Sequence, residues 1–563
     1  MQINKFFLSV VVFFVVANKS LNAQLSFQWA KSNQGPLADE ATSVALDALG
    51  NVYYAGNFEG VFDLDPGAGT STVSSAGSKD NFIIKLDPAG AFIWGKVFSG
   101  ANDSYITDLA TDASNNIIVV GNLLGSADFD PSPSTFVLTA PGSSNAGFVT
   151  KLDMNGNYVW AKIFSSTTNA SASSVEVDAA SNVYIGGNFF GTIDLDPGTP
   201  IINVTTNISS SNGFICRLNS SGVYLNHYTL GIANYSESVR DLKLDNTTNS
   251  LFTTSFVEGQ ISGTGIYAGG IDVYFEKLNP NLTAVWNKQF GGSGGDYPTT
   301  IDIDASGNVY LAGVFNGNCD FDPGTTSSFT LASFNAVYND IFVSKYNATG
   351  NFVWAKQIGS NSLHDYCNGM VVNTTGVYIT GAFQGSCDFD PAVTVNNLTS
   401  SGGQDMYIAA LDLNGNYNFA HKYGSSGTET GISIASDGVN IYTAGYFSNT
   451  IDFDFTTGVN THVSLGGTDP IIHKMNLSSV SVKENNTNNL RFYPNPANEE
   501  LHFENYNGNK VILNIYDLNR KLIYTFTSSE KNFTISLNKF EKGLYILKQE
   551  TNGAITTSKL LIN

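Results

Sequence analysis

A pattern that returns about every 65 residues constrains this chain more than any other feature. One marker is a Trp-centred segment, Trp29-Ala30-Lys31. It returns as Trp94-Gly95-Lys96, Trp160-Ala161-Lys162 and Trp354-Ala355-Lys356, with weaker copies at Asn226-His227-Tyr228, Trp286-Asn287-Lys288 and Phe419-Ala420-His421. A second marker is a turn leading into an aromatic strand, Gly50-Asn51-Val52-Tyr53-Tyr54-Ala55-Gly56. A third is Phe82-Ile83-Ile84-Lys85-Leu86-Asp87, which recurs near Phe148, Phe214, Phe275, Phe342, Tyr407 and Ile471. Each marker can be followed through seven copies.

Each unit reads as four short strands: an inner strand such as residues 42–46, then the aromatic, Phe/Lys and Trp strands. Alternating side chains and Gly/Asn/Asp turns favour strands over helices. Four antiparallel strands per unit, repeated radially, make an all-β propeller of seven blades. The phase adds a constraint. The seventh unit ends at Met475-Asn476 without a Trp strand, while residues 27–31 form an orphan Trp strand near the N-terminus. The expected solution is a ring in which the N-terminal strand completes the last blade and removes the exposed edges.

Composition agrees with a turn-rich β-protein. Aromatic residues make up 12%, charged residues only 13%, and there are 55 glycines. The net charge of −21 disfavours nucleic acid and anionic membrane as partners. Residues 1–23 read as a signal peptide: Lys5 precedes a short apolar run, residues 6–17, too short to span a bilayer. No later stretch suits a transmembrane span. Cys216, Cys319, Cys367 and Cys387 could oxidise in an exported chain, and the sequence leaves their pairing open.

The repeats resemble the bacterial β-propeller repeat family, on the turn Asp304-Ala305-Ser306-Gly307-Asn308-Val309-Tyr310 and the strand from Phe82 to Asp87. That resemblance covers about residues 25–477 and implies a fold, with little about activity.

The periodicity then changes. A polar linker, residues 478–489, leads to a C-terminal segment, 490–563, whose strand-like runs suggest a small β-sandwich. Four features carry a second resemblance: Tyr493-Pro494-Asn495-Pro496, Ile515-Tyr516-Asp517, Gly543-Leu544-Tyr545 and Lys559-Leu560-Leu561-Ile562. The segment resembles the type A C-terminal sorting domain of the Bacteroidetes type IX secretion system. The resemblance implies export by that machinery, a secreted or outer-surface location, and removal of the domain in some cases. With nine Lys/Arg against seven Asp/Glu, the segment is nearly neutral, so the acidity belongs to the repeats.

Two groups of residues are candidate sites. Six of the seven repeats carry Asp-x-Asp after the aromatic strand. The pairs are Asp63 and Asp65, Asp128 and Asp130, Asp194 and Asp196, Asp320 and Asp322, Asp388 and Asp390, and Asp452 and Asp454. Repeat 4 has Ser262-Gly263-Thr264 instead. The inter-blade loops add Asp39, Glu40, Asp103, Glu237, Asp296, Asp365 and Glu429, so both sets are expected to crowd one rim. Crowded carboxylates invite Ca²⁺. Asp before Pro-Gly also closes a tight turn through its own backbone, without metal, and Asp-x-Asp alone lacks a full calcium ligand set.

The second group lies on the inner strands. Glu176, Lys243 and Asp302 take one position in repeats 3, 4 and 5, where the others have Ala45, Ala110, Val371 and Ile434. Repeat 4 adds Arg240 and Asp241. Alternating charges on neighbouring strands suggest an ion network or a ligand site near the axis. Paired carboxylates there would suit glycoside chemistry. His227, His364, His421, His462, His473 and His502 are scattered, and no nucleophile elbow, phosphate loop or zinc motif is present. The expected function is a non-catalytic binding or scaffold protein with a carbohydrate or protein ligand. The alternatives are a carbohydrate-active propeller and a structural envelope component.

Overall fold

The computed structural model describes residues 24–478 and 490–562, apart from 143, 232–233, 262–268, 325–326, 393–394, 494–496, 506–508, 518–520 and 552–553. The signal-peptide segment, most of the linker, Ser262-Gly263-Thr264 and Pro494-Asn495-Pro496 therefore lie outside the described residues. The chain divides into two compact units, one spanning Leu25–Leu477 and one containing Ser478–Asn563. Every assigned element among the described residues is a β-strand.

In the first unit each repeat forms an antiparallel sheet. Repeat 1 runs Glu40–Leu46, Val52–Asp63, Thr72–Leu86 and Phe92–Gly100, each strand paired with the next. The aromatic strand is buried on both faces from Val52 to Phe58. It therefore reads as a near-continuous apolar run, not as a strict alternation. Repeats 2 to 6 repeat this order. In repeat 7, Asp469–Ser478 pairs with Asn440–Phe447 on one side and with Gln24–Ser32, from the other end of the chain, on the other. The strand runs one residue into the segment read as linker.

Hydrophobic burial is shared between neighbouring sheets. Phe189 and Phe214 of repeat 3 pack with Ile118, Val149 and Phe164 of repeat 2. No repeat buries both faces of its sheet alone, so the repeats fold as a set.

In several repeats two side chains clasp one sheet to the next. Trp94 and Lys85 of repeat 1 donate to the carbonyl of Met154, in the turn between the third and fourth strands of repeat 2, at 3.4 and 3.1 Å. Trp160 and Lys151 do the same to Ser220 in repeat 3, and Trp354 and Lys345 to Leu413 in repeat 6. Each such turn holds a glycine against the indole. At Gly90, with φ +81°, an added Cβ would lie 3.0 Å from the ring of Trp29. The lysines also face an aspartate of their own repeat, as Lys151 faces Asp112 at 2.8 Å. The lysine bonds are charge-assisted and stronger than neutral ones, though these turns are partly exposed, so the clasp accounts for both the Trp and the Lys of the repeat pattern.

The second unit packs a three-stranded sheet against a four-stranded one. Leu501 and Phe503 meet Val511, Leu513, Ile515 and Leu547 in its core.

Candidate functional site

The inner strands line a cavity of about 500 Å³, with wall residues from all seven repeats. Every inner strand carries a one-residue bulge, as between Ala41 and Ser43 or Gly431 and Ser433. The residues at and after the bulges link the strands in succession. Thr42 donates to the Ile106 carbonyl at 2.8 Å, Thr107 to Ala172 at 2.9 Å and Ser173 to Val239 at 2.7 Å. Asp241 accepts the amide of Ile301, and Asp302 that of Val372. Asn368 donates to Gly431, and Ser433 accepts the amide of Val44 at 3.2 Å.

The three charged residues read from the sequence come together. Lys243 Nζ lies 3.2 Å from Asp302 and 3.7 Å from Glu176. Asp302 spends both oxygens on backbone, accepting the amides of Ile303 and Val372 at 2.8 and 2.7 Å. Burial pushes the Glu176 carboxyl up to about 7, against the pull of Lys243. Asp302 beside Lys243 holds the ammonium well above its usual range.

One register expectation is corrected. The equivalent position in repeat 7 is Ala435, which pairs with Tyr442 as Ala45 pairs with Tyr53. The turn after this strand is one residue shorter in repeat 7, Asp437 reaching Asn440 where Asp47 reaches Asn51, so counting back from the aromatic strand falls on Ile434, which packs into the apolar core.

Asp108, with no counterpart in the charge pattern, is a further inner-strand acid. It accepts the hydroxyl of Ser43 and the amide of Val175, each at 2.9 Å. Burial, reinforced by Asp241, pushes it up to about 7. Its signal in the sequence is its place just after the bulge, where Ser43, Ser174, Asp241 and Ser433 also stand. Arg240 is itself a bulge residue. Its guanidinium lies over the ring of Phe256 at 5.7 Å, and it forms no ion pair with another described residue.

The six Asp-x-Asp loops share one geometry. The first aspartate accepts two backbone amides through one oxygen. Asp63 Oδ1 takes those of Asp65 and Ser71 at 3.1 and 2.7 Å, and Asp128, Asp194, Asp320, Asp388 and Asp452 do the same. The second aspartate accepts the amide two residues on. Asp65 takes that of Gly67 at 2.8 Å, and Asp130 that of Ser132 at 3.0 Å. Asp196 takes Gly198, Asp322 takes Gly324, Asp390 takes Ala392 and Asp454 takes Thr456, each at 2.9 Å. In repeats 2 and 5 the loop sits on a short hairpin that extends the preceding sheet, as Asp128 pairs with Ser99 and Asp320 with Gly291.

Among the described residues, no three His, Cys, Asp or Glu side chains gather into a group able to hold a metal. Neither the first aspartates nor their partners Asp65, Asp130, Asp196, Asp322, Asp390 and Asp454 belong to such a group. Each carboxylate turns back onto the amides of its own loop, which closes the turn.

Several inter-blade acids lie beside the Asp-x-Asp hairpins: Asp296 accepts the amide of Gly292, which pairs with Cys319 next to Asp320. Asp39, Glu237, Asp296, Asp365 and Glu429 are buried. Several face a second buried acid at the start of a Phe/Lys strand: Asp39 faces Asp469, Asp296 faces Asp272, Asp365 faces Asp340 and Glu429 faces Asp405. Burial, reinforced by the neighbouring charge, pushes Asp39, Asp296 and Asp365 up to about 7. All four cysteines are free and buried.

The fold and its terminal module define an all-β, propeller-type protein carrying a secretion signal as a domain. Residues 491–563 match the secretion system C-terminal sorting domain family, and residues 285–318 match the beta-propeller repeat family. An uncharacterised WD repeat-containing protein of Acanthamoeba polyphaga mimivirus is 22% identical over 74% of this chain and 36% of its own length, so the chain spans about a third of that relative. Among solved structures, a protein of unknown function from Bacteroides caccae is 10% identical over 61% of this chain and 89% of its own, with a TM-score of 0.29. PorZ, a surface component of the type-IX secretion system of Porphyromonas gingivalis, is 9% identical over 95% of this chain and all of its own, with a TM-score of 0.18. No helix among the described residues is long and apolar enough to cross a membrane.

Proposed function

We propose that this chain is an exported, non-catalytic binding protein: one closed seven-bladed propeller that holds a ligand in its inner-strand cavity, delivered to the cell surface or medium by its type IX sorting domain. Ring closure is supported by Trp29 and Lys474, which both donate to the Pro88 carbonyl, as other Trp/Lys pairs do between consecutive repeats. It is supported again by Gln34, which bridges Asp63 as Ser99 pairs with Asp128.

The commitment of the inner carboxylates carries the non-catalytic reading. Asp302 is held by two amides and Lys243, and Asp241 by the hydroxyl of Ser174 and the amides of Leu242 and Ile301. General acid–base work on a glycoside needs two carboxylates free to exchange protons across a substrate. Glu176, pushed up to about 7, favours the carbohydrate-active alternative and is the residue that tests it.

A polysaccharide panel scored for binding and for turnover separates the readings. Binding without turnover is expected. Turnover abolished by Glu176→Gln or Asp302→Asn would establish an enzyme, and a chain that binds nothing would be a structural envelope component. A form ending before Leu490 should stay in the periplasm, and its normal export would overturn the sorting assignment. At the Asp-x-Asp loops the reading is turn closure by the carboxylates rather than Ca²⁺ coordination.

A further inference from the structure

Repeat 4 departs from its neighbours at the inner-strand bulge. Thr107 and Ser173 use that position to tie one inner strand to the next through a hydroxyl. Arg240 stands there instead, and it has neither a hydrogen bond nor an ion pair with another described residue. In a chain of net charge −21, a cation left without a carboxylate partner at an inner strand is an unusual placement. Crowding by the surrounding strands, without a carboxylate to offset it, pulls the Arg240 pKa below the ordinary arginine value. The residue is nonetheless exposed, so a ligand can reach it.

Arg240 also lines a second cavity of about 280 Å³. The other walls are uncharged: Thr107, Ser173 and Thr299 at the neighbouring bulges, with Asn122, Asn188 and Ser238 beside them. The guanidinium is fixed from one side by Phe256, whose ring meets Tyr297 edge-on at 6.4 Å. A planar, pre-positioned guanidinium matches a carboxylate in a two-point hydrogen bond. Hydroxyls and amides around it match the hydroxyls of a sugar ring. The volume is at the small end for ligand pockets, about 300–1,000 Å³, which suits one monosaccharide.

We propose that this cavity takes a single acidic sugar residue, with Arg240 gripping its carboxylate and the surrounding Ser, Thr and Asn side chains meeting its hydroxyls. The proposal rests on the reading that the inner-strand region binds a ligand, and it names the chemical class.

The test is calorimetric titration of the full chain with glucuronate, glucose and acetate, repeated on Arg240→Met and Arg240→Lys. Saturable glucuronate binding is expected, with glucose and acetate each at least tenfold weaker. Arg240→Met should lose at least tenfold in glucuronate affinity, and Arg240→Lys, which keeps the charge without the fork, should fall between. Glucose binding as tightly as glucuronate, or an Arg240→Met protein that melts normally and binds unchanged, would overturn the carboxylate assignment while leaving a cavity ligand in place. Acetate binding as tightly as glucuronate would overturn the sugar. If no saccharide on a broad panel, acidic or neutral, bound saturably, this site and the binding function would both fall.

Discussion

The indole N–H of Trp29 and the carbonyl of Pro88 meet at 3.4 Å, joining the N-terminal strand Gln24–Ser32 to a turn of repeat 1. Lys474, from the last repeat, donates to the same carbonyl at 2.8 Å. The two donors lie on adjacent strands of one sheet, although nearly the whole propeller separates them in sequence.

If this contact holds the seam, Trp29→Ala should destabilise the propeller as much as loss of an internal clasp does. Full burial of a Trp is worth about 3–5 kcal/mol on truncation. Trp29 is only partly buried, so about 2–3 kcal/mol is expected, with Trp354→Ala as the internal comparison. Denaturant titration reads both. An unchanged Trp29→Ala midpoint beside a lowered Trp354→Ala midpoint would mean that the seam is not clasped.

Lys243 neutralises two carboxylates from neighbouring repeats. Lys243→Met should therefore cost more alone than in combination with Glu176→Gln. The site is partly open, the Lys243 side chain being 35% exposed. Solvent screening thus holds the single loss to about 1–2 kcal/mol, below the roughly 3–5 kcal/mol of a fully buried pair. A double-mutant cycle showing strict additivity would remove the proposed coupling.

The buried inter-repeat acids set a pH dependence. Asp39, Asp296 and Asp365 are held at about 7, and Asp340 and Asp469 at about 6. An unfolded aspartate titrates at about 3.9. Between those limits the folded chain keeps protons that the unfolded chain has lost, so stability falls as pH rises from about 4 to about 7 and levels off above. Melting temperatures across that range should show this slope. Asp39→Asn, which mimics the protonated form, should flatten it, and a melting temperature that rose with pH would contradict the assignment.

The Asp-x-Asp loops should be indifferent to calcium. Their first aspartates each accept two backbone amides, so Asp128→Ala should destabilise its hairpin by about 1–3 kcal/mol through unsatisfied donors. Asp130→Ala, which frees a single amide, should cost less. Both losses should be equal with chelator and with millimolar Ca²⁺. A calcium-dependent melting temperature in the unmutated chain, lost in Asp128→Ala, would restore the metal reading.

Much of the fold was legible because a repeat exposes its own grammar. Where a unit has both the Trp and the Lys they recur since they grip the same carbonyl of the next unit, and the Gly of the turn recurs since the indole lies against it. The Glu176–Lys243–Asp302 contact was legible for a related reason: equivalent residues on adjacent inner strands are neighbours in space. Asp108 and the burial of Asp39 were not legible. Both depend on the bulge and on packing between repeats, and neither leaves a spacing that differs from an ordinary turn. Ile434 shows the same limit: the turn after it is one residue shorter than in repeat 1, and a one-residue slip along a strand moves to the opposite face.

Sequence alone determined the unit: its four strands, its turns, the module at the C-terminus and the candidate charges, all of which depend on residues close together along the chain. Tertiary structure decided which charges are neutralised, which acids are buried, and that Arg240 lines a cavity and pairs with no carboxylate among the described residues. Those outcomes depend on the neighbours supplied by other repeats and on the bulge register, which no local pattern encodes.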